Sequence, residues 1–208
     1  MIAMRHLSPE ERGRIEAAVT AAEKRTSAEF AVIVARQSDE YAFFPLLWAA
    51  LLALLTGGAV AILSPMMSVS LSFAVQAGVF LTVGLVLHFR QLRPYLAPPA
   101  VRREYASRMA KLQFAERVSE KTAKDEGVLL FVSLAEKHVE ILADSGIAAL
   151  IPPSAFQYVI DQFILRVRQG RLAEGVLAAI EGCVQELQPH FPARPDEPNE
   201  IANRVTEI

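Results

Sequence analysis

The chain has 208 residues, of which 52% are hydrophobic, and a formal net charge of −2. A charge this close to zero gives no argument for nucleic acid as a partner. The single cysteine, Cys183, excludes an internal disulfide framework and agrees with a reducing compartment.

The first 40 residues predict one helix and one strand. Ser8, Pro9 and Glu11 have the pattern of a helix start, with a hydroxyl cap, a proline in the first turn and a capping box. The helix should end near Arg25, and the apolar, β-branched run Ala28–Ala35 should then form a largely buried strand. No cleavable signal peptide is expected, because this segment is charged and has no apolar core of the usual length.

A membrane hairpin is predicted in the middle of the chain. Tyr41–Leu87 contains no Asp, Glu, Lys, Arg or His, and a bilayer core needs roughly 20 apolar residues per helix. Phe43–Leu63 and Val69–Leu87 fit two spans, and the proline in the segment 64–68 discourages one continuous helix. The alternative, a buried hairpin of a soluble protein, is disfavoured because core helices alternate apolar and polar faces. Gln76 should face the partner helix or a neighbouring subunit, since an unpaired amide in hydrocarbon is costly.

Basic residues on both sides of the hairpin predict its orientation. They are Lys24, Arg25 and Arg36 before the first span, and Arg90, Arg93, Arg102 and Arg103 after the second. The turn between the spans has no charge, so both termini and both soluble segments should face the cytoplasm. The four arginines after the second span should lie at the membrane surface, where anionic lipid headgroups are the simplest partner.

The second soluble segment predicts two strands and three helices. Gly127–Leu134 and His138–Ala143 should be strands joined by a hairpin-length turn. Val101–Lys121 should be a helix, and two amphipathic helices should follow the strands. The inner face of the helix Val101–Lys121 is predicted to carry Val101, Tyr105, Leu112, Ala115 and Ser119. The later stripes are Phe156, Val159, Ile160, Phe163, Ile164 and Val167, then Leu172, Val176, Leu177, Ile180, Val184 and Leu187.

The two soluble segments should form one split domain. The first segment offers a single strand, which needs partners, so it should pair with the later hairpin in an α/β sandwich into which the membrane hairpin is inserted. Residues 1–40 would be the first part of this domain, 41–89 the hairpin, 90–192 the second part, and 193–208 a tail. The tail carries Ile201, Val205 and Ile208 at helical spacing.

Carboxylates are the polar groups from which a site is predicted. No glycine-rich phosphate loop, nucleophile elbow or zinc-type His/Cys spacing is present. If the first two strands are parallel, Glu29, Asp125 and Asp144 fall at one end of the sheet, and such a cluster would hold Ca²⁺ or Mg²⁺ through oxygen ligands. The alternative is that Asp144 caps the next turn or pairs with Arg168, while the others are solvated loop charges. The carboxylates considered are Glu29, Asp125, Glu126, Glu140 and Asp144.

Several segments resemble the TPM domain family. Gly127–Glu136, followed by Val139–Ile141, Asp144 and Gly146, resembles the central strand pair of these domains. Agreement extends to Thr26–Glu29, Arg168–Gly170, Gly175 and Ala179–Ile180. The closing His190–Pro192 and Asn199–Ile201 resemble a bacterial subgroup whose TPM domain is interrupted by two spans. The resemblance extends over nearly the whole chain, and its motifs are hydrophobic and structural.

The resemblance implies a small α/β/α sandwich with a short mixed sheet, interrupted here by the transmembrane hairpin. Members of the family are associated with maintenance or assembly of membrane complexes. We therefore expect a binding, accessory or assembly factor for a membrane protein complex in the bacterial inner membrane, rather than an enzyme. Some plant members are described as divalent-metal-binding acid phosphatases, so a weak metal-dependent phosphatase is the alternative, and no catalytic residue can be carried over. A lipid-surface sensor that uses the basic residues is a third hypothesis.

Overall fold

The computed structural model describes residues 7–89, 92–122, 124–194 and 200–208. They divide into two compact units, residues 7–38 with 105–208, and residues 39–104. The elements in chain order are α1 (Pro9–Glu23), β1 (Glu29–Ala35), α2 (Phe43–Leu63), α3 (Val69–Leu87), α4 (Arg93–Leu96), α5 (Pro99–Phe114), β2 (Gly127–Ser133), β3 (His138–Ala143), α6 (Ser145–Ala148), α7 (Gln157–Arg168), α8 (Leu172–Leu187) and β4 (Thr206–Glu207).

A mixed four-stranded sheet with the order β3-β2-β1-β4 is the centre of the first unit. β1 and β2 pair in parallel over their whole length, from Glu29 opposite Gly127 to Ala35 opposite Ser133. β3 runs antiparallel to β2, and β4 pairs in parallel with the other side of β1. The predicted pairing of the first strand with the later hairpin is therefore confirmed.

Helices cover both faces of this sheet. On one face, Val32 and Leu130 belong to a core that also contains apolar residues of α1, α7 and α8. On the other face, Ile33 and Phe131 belong to a second core with Ala110 of α5. Successive side chains of a strand point to opposite faces, so one apolar strand supplies both cores. The predicted α/β/α sandwich with a short mixed sheet is confirmed.

The first helix begins as predicted. The backbone N–H of Glu11 donates to Ser8 Oγ at 3.1 Å, and the N–H of Ser8 donates to Glu11 Oε2 at 2.6 Å, which completes the capping box. Ile15 and Val19 are buried on the inner side of α1. This helix is therefore defined by a local capping signal together with a core-facing stripe.

The inner face of α5 differs from the prediction. Leu112 is 53% exposed, and Ala106 and Ala110 are buried instead. Small side chains let this helix lie close to the sheet, so the larger residues of the sequence do not mark its inner side. The helix then continues as a π-helical turn, Ala115–Ser119, whose wider spacing shifts the later residues around the helix axis. Only Val118 of that turn is buried.

The C-terminal segment is a strand rather than a helix. Thr206–Glu207 pairs with Ile33–Val34, so the helical spacing of Ile201, Val205 and Ile208 does not indicate a helix here. Ile201 and Val205 are buried, one in each core. Apolar residues four apart also suit an extended segment that is anchored at two points, and the spacing alone does not separate the two structures.

The second unit contains two long helices, α2 and α3, whose bounds are those of the two predicted spans. Ala49 and Ala53 of α2 are buried, and a Cβ added to Gly84 of α3 would lie 3.7 Å from the Cβ of Ala49. The side chain of Gln76 fills the space beside Gly57, where a Cβ would collide with it. Small residues permit close approach of apolar helices, and Gln76 faces the partner helix as expected.

Both helices are long and apolar enough to cross a membrane, by length and composition. In their most apolar stretches, only 11% of the residues of α2 and none of those of α3 are buried. A core helix of a soluble protein is mostly buried, so this exposure disfavours the soluble hairpin that the sequence left as an alternative.

Candidate functional site

Glu29 opens β1 and contacts the C-terminal segment. Its Oε2 accepts a hydrogen bond from the backbone N–H of Ile201 at 3.1 Å. Its own N–H donates to the carbonyl oxygen of Glu126 at 3.0 Å. The second of these bonds places the N-terminal ends of β1 and β2 side by side, as the parallel pairing requires.

Asp125 acts through its backbone at the entrance to β2. Its φ of 54° lies in the left-handed region, which aspartate adopts more readily than most residues. The N–H of Gly146 donates to the carbonyl oxygen of Asp125 at 3.0 Å. A Cβ on Gly146 would stand 2.6 Å from that oxygen, so the close approach requires glycine.

Asp144 is buried and caps α6, which confirms the capping role. Its Oδ1 accepts a hydrogen bond from the N–H of Ser145 at 3.3 Å. Its Oδ2 accepts from Thr122 Oγ1 at 2.6 Å, and Ser119 Oγ lies 3.4 Å from Oδ1. The carboxylate therefore binds hydroxyl and backbone donors, and Arg168 is not among these partners.

The structure does not bring the three predicted carboxylates into a metal-binding group. In the described ranges, with their gaps at 90–91, 123 and 195–199, no group of three His, Cys, Asp or Glu side chains is placed to hold a metal ion. Glu29 contacts the C-terminal segment, Asp125 offers its carbonyl, and Asp144 faces hydroxyls. The strand directions agree with the prediction, but the three residues have different neighbours.

Glu126 and Glu140 are each satisfied within the domain. Glu126 accepts hydrogen bonds from Ser27 Oγ at 2.7 Å and from Arg194 Nη2 at 2.8 Å. Glu140 on β3 contacts His138 Nε2 at 3.0 Å and accepts from Ser107 Oγ at 3.2 Å. Burial alone would raise the pKa of Glu140, but these two hydrogen bonds and the nearby positive charges outweigh burial and lower it.

A cleft of about 220 Å³ opens beside the start of β1. It lies between the last turn of α1, the residues that lead into β1, and the C-terminal segment. Glu23 and Glu29 supply its carboxyl groups, Lys24 and Arg194 its cations, and Asn203 its amide. Charged groups of both signs therefore line one concave surface.

Glu23 is held in this cleft by two donors. Its Oε1 accepts a hydrogen bond from the N–H of Phe30 at 3.3 Å, and its Oε2 accepts from Asn203 Nδ2 at 2.5 Å. Burial, followed by the negative charge of Glu29, raises the pKa of Glu23 to about 7, although the two hydrogen bonds act in the opposite direction. A carboxyl group with a pKa near neutrality can gain or lose a proton under physiological conditions.

A second buried polar network lies at the opposite end of β1 and β2. The N–H of Ser38 donates to Glu136 Oε1 at 3.1 Å, and the hydroxyls of Ser38 and Ser133 are 2.8 Å apart. Ser133 Oγ also donates to Glu136 Oε2. All three side chains are buried, so the network joins the residue that follows β1 to the β2–β3 turn and offers no surface to a substrate.

The predicted lipid-facing arginines lie in the second unit, except Arg90, which falls outside the described residues. Arg93 donates from Nε to the carbonyl oxygen of His88 at 3.0 Å, and its Nη2 lies 2.9 Å from His88 Nε2. Arg102 and Arg103 lie in the first turns of α5, and Arg103 is exposed. The basic groups therefore follow the end of α3 within this unit.

Aromatic residues lie at the same end of the α2–α3 hairpin. Trp48 Nε1 donates to the carbonyl oxygen of Leu96 at 3.0 Å, which holds α4 against the start of α2. Phe43, Phe89 and Tyr95 are each more than 60% exposed. Aromatic and basic residues together are typical of a membrane–water interface.

Comparison with known proteins supports the fold. The model of the TPM domain family matches residues 96–186. The NMR structure of the BA42 protein from the psychrophilic bacterium Bizionia argentinensis is similar, with a TM-score of 0.61 and 18% sequence identity over 98% of this chain and 96% of that chain. At this identity the likeness shows the fold alone. No curated protein matches the chain.

Proposed function

We propose that this chain is a membrane-anchored protein whose TPM-type domain binds a membrane protein complex as an accessory or assembly factor. The observation that carries the proposal is the exposed apolar hairpin α2–α3, which the chain inserts between β1 and β2, the two central strands of the sheet. A bilayer that covers the hairpin would hold the domain at the membrane surface, where its partners would be membrane proteins.

The hairpin has two chemically different ends, which supports one orientation in the bacterial inner membrane. Arg93, Arg102 and Arg103 accompany the aromatic end, and anionic lipid headgroups are their proposed partners. The segment 64–68 at the other end has no charged residue. The positive-inside rule then places the aromatic end, both termini and the split domain in the cytoplasm, with the turn on the far side.

The orientation predicts which single cysteines can be labelled from outside intact cells. Cysteine at position 68 should react with an impermeant maleimide, whereas cysteine at position 8 or 154 should react only after the cells are broken. All three serines are at least partly exposed, which makes them fair sites for a probe. The native Cys183 is 1% exposed, and burial raises its pKa to about 12, so it should not react with the maleimide. Outside labelling at position 8 would refute the orientation.

The domain also offers a surface on which a partner could bind. Tyr158 and Leu165 of α7 are 70% and 50% exposed. They are seven residues apart and so lie on one side of the helix. Exposed apolar residues that share a face are a common feature of protein interaction sites.

Purification in mild detergent should recover a membrane protein at a fixed stoichiometry with the full-length chain. The double variant Tyr158→Ser, Leu165→Ser should lose this partner while keeping its membrane location and its melting temperature, because both side chains are exposed. The matched control is Leu112→Ser, which removes an exposed leucine from another helix. Loss of the partner in the control as well, or no partner in any preparation, would count against the accessory role.

A weak divalent-metal-dependent phosphatase is the second candidate function. The cleft favours it in one respect, because two cations beside a carboxyl group that is protonated near neutrality suit the binding and cleavage of an anionic ester. Phosphomonoester turnover that requires Ca²⁺ or Mg²⁺ and is lost in Glu23→Gln would favour the enzyme. Absence of turnover in the purified full-length chain would leave the binding role.

A further inference from the structure

The cleft beside the start of β1 has an acidic side. Glu23 and Glu29 both line it, and they are near enough that the charge of Glu29, after burial, helps to raise the pKa of Glu23 to about 7. Their neighbours in the lining are polar, namely Thr20 and Asn203, and Asn203 Nδ2 lies 3.1 Å from Thr20 Oγ1. The last turn of α1 forms this side, and the C-terminal end of a helix carries a partial negative charge. The acidic side therefore favours a cationic group.

The same cleft has a basic side. Lys24 and Arg194 line it, and both are exposed. Arg194 Nη2 donates to Glu126 Oε1 at 2.8 Å, and Ser27 Oγ, on the cleft lining, donates to Glu126 Oε2 at 2.7 Å. Glu126 thus holds the guanidinium beside Ser27, whereas Asn203 bonds Glu23 on the acidic side. Exposed cations at fixed places are suitable partners for a carboxylate.

We propose that this cleft binds a small zwitterion of the α-amino acid type, with its ammonium group beside Glu23 and Glu29 and its carboxylate beside Lys24 and Arg194. A ligand with one kind of charge would meet two side chains of its own sign, whereas a zwitterion matches both pairs. The volume of about 220 Å³ lies below the roughly 300–1,000 Å³ of pockets for drug-sized ligands, so the ligand must be small. This binding site goes beyond the accessory role and does not depend on it.

Binding of the ammonium group should be coupled to the ionisation of Glu23. A cation beside this carboxyl group favours its charged form, so the ligand should lower the pKa of Glu23 from about 7 and release a proton. The affinity should therefore rise about tenfold from pH 6 to pH 8 and become constant above that. The other charged groups that line the cleft are Lys24, Glu29 and Arg194, and lysine and arginine keep their charge in this range.

Calorimetric titration of the full-length protein in detergent tests the site, with L-serine as the probe. Two halves of serine are the matched ligands: ethanolamine lacks the carboxylate, and 3-hydroxypropionate lacks the ammonium group. Each half should bind at least about tenfold more weakly than serine, because it loses the charge-assisted hydrogen bonds at one side of the cleft. No binding of serine, or equal binding of either half, would overturn the proposal. Binding of inorganic phosphate without binding of serine would also overturn it, and would favour the phosphatase.

Two variants assign the two sides of the cleft. Lys24→Gln should weaken serine about tenfold and leave ethanolamine unchanged, whereas Glu29→Gln should weaken serine and ethanolamine and leave 3-hydroxypropionate unchanged. The controls Arg14→Gln and Glu10→Gln remove exposed charges of α1 outside the cleft lining and should behave as the parent chain. If Lys24→Gln binds serine as its control does, the assignment is wrong. Lys24 is exposed, so this variant decides the matter even if Glu29→Gln does not fold.

Discussion

Val32→Asp should lower the free energy of unfolding of the split domain by several kcal/mol, because it buries a charge without a partner. Val32 is 3% exposed, stands opposite Leu130 in the parallel pair, and belongs to the core under α1, α7 and α8. The effect should reach β2 and β3, which lie far along the chain. Chemical unfolding of the full-length protein in detergent measures the loss of free energy. Amide exchange of Leu130 measures whether the effect reaches β2.

The matched control is Leu112→Asp, the same kind of substitution at a side chain that is 53% exposed. It should cost less than about 1 kcal/mol, the usual range for an exposed position in a helix. This control also tests the inner face of α5, where the sequence predicted Leu112 to be buried. If the two variants lost the same free energy of unfolding, Leu112 would lie in a core. The position of Val32 in the sheet would then have no larger effect than that of Leu112 in α5.

The strands were predictable because their signals are local. Residues 28–35 and 127–134 are unbroken apolar runs with β-branched residues, a pattern typical of strands buried on both faces. Pairing followed from the need of a lone strand for neighbours. The bounds of α2 and α3 also followed from composition, because an uncharged run with a proline near its middle, Pro65, leaves few other divisions.

The path of the C-terminal residues 200–208 and the cleft were not predictable by the same reasoning. Glu23 lies in the last turn of a surface helix, and nothing near it in the sequence indicates that Asn203 will cover it. The pKa of Glu23 depends on a contact between residues 180 positions apart. Likewise, Arg194 pairs with Glu126 because the chain returns past that residue after α8. The contacts of Asp144 are with hydroxyl and backbone donors, and Arg168 is not among them.

The predicted metal site shows the limit of an argument from strand direction. Parallel pairing does bring the starts of β1 and β2 together. It does not determine where each side chain points, because the bend at Asp125 has a left-handed backbone and Asp144 is directed to Thr122. Side-chain direction at strand ends depends on the loops, and the sequence patterns of these loops are weak.

A fragment of residues 90–208 should show no cooperative unfolding transition. It lacks α1 and β1, and β1 lies between β2 and β4 in the sheet. Its removal exposes the whole edge of β2, leaves β4 without a partner, and opens both cores, since β1 contributes to each. A domain of ordinary stability has only about 5–15 kcal/mol to lose, and the loss of a central strand exceeds that margin.

Co-expression of residues 1–89 with this fragment should restore the fold, because β1 and β2 can pair across their parallel register without a covalent link through the hairpin. A Val32→Asp version of the 1–89 piece should fail to do so, which separates specific pairing from a general effect of the hairpin. Cooperative melting of the isolated 90–208 fragment, with native-like exchange protection in β2 and β3, would show that β1 is dispensable. The domain would then be a complete unit after the hairpin, and the split architecture would be wrong.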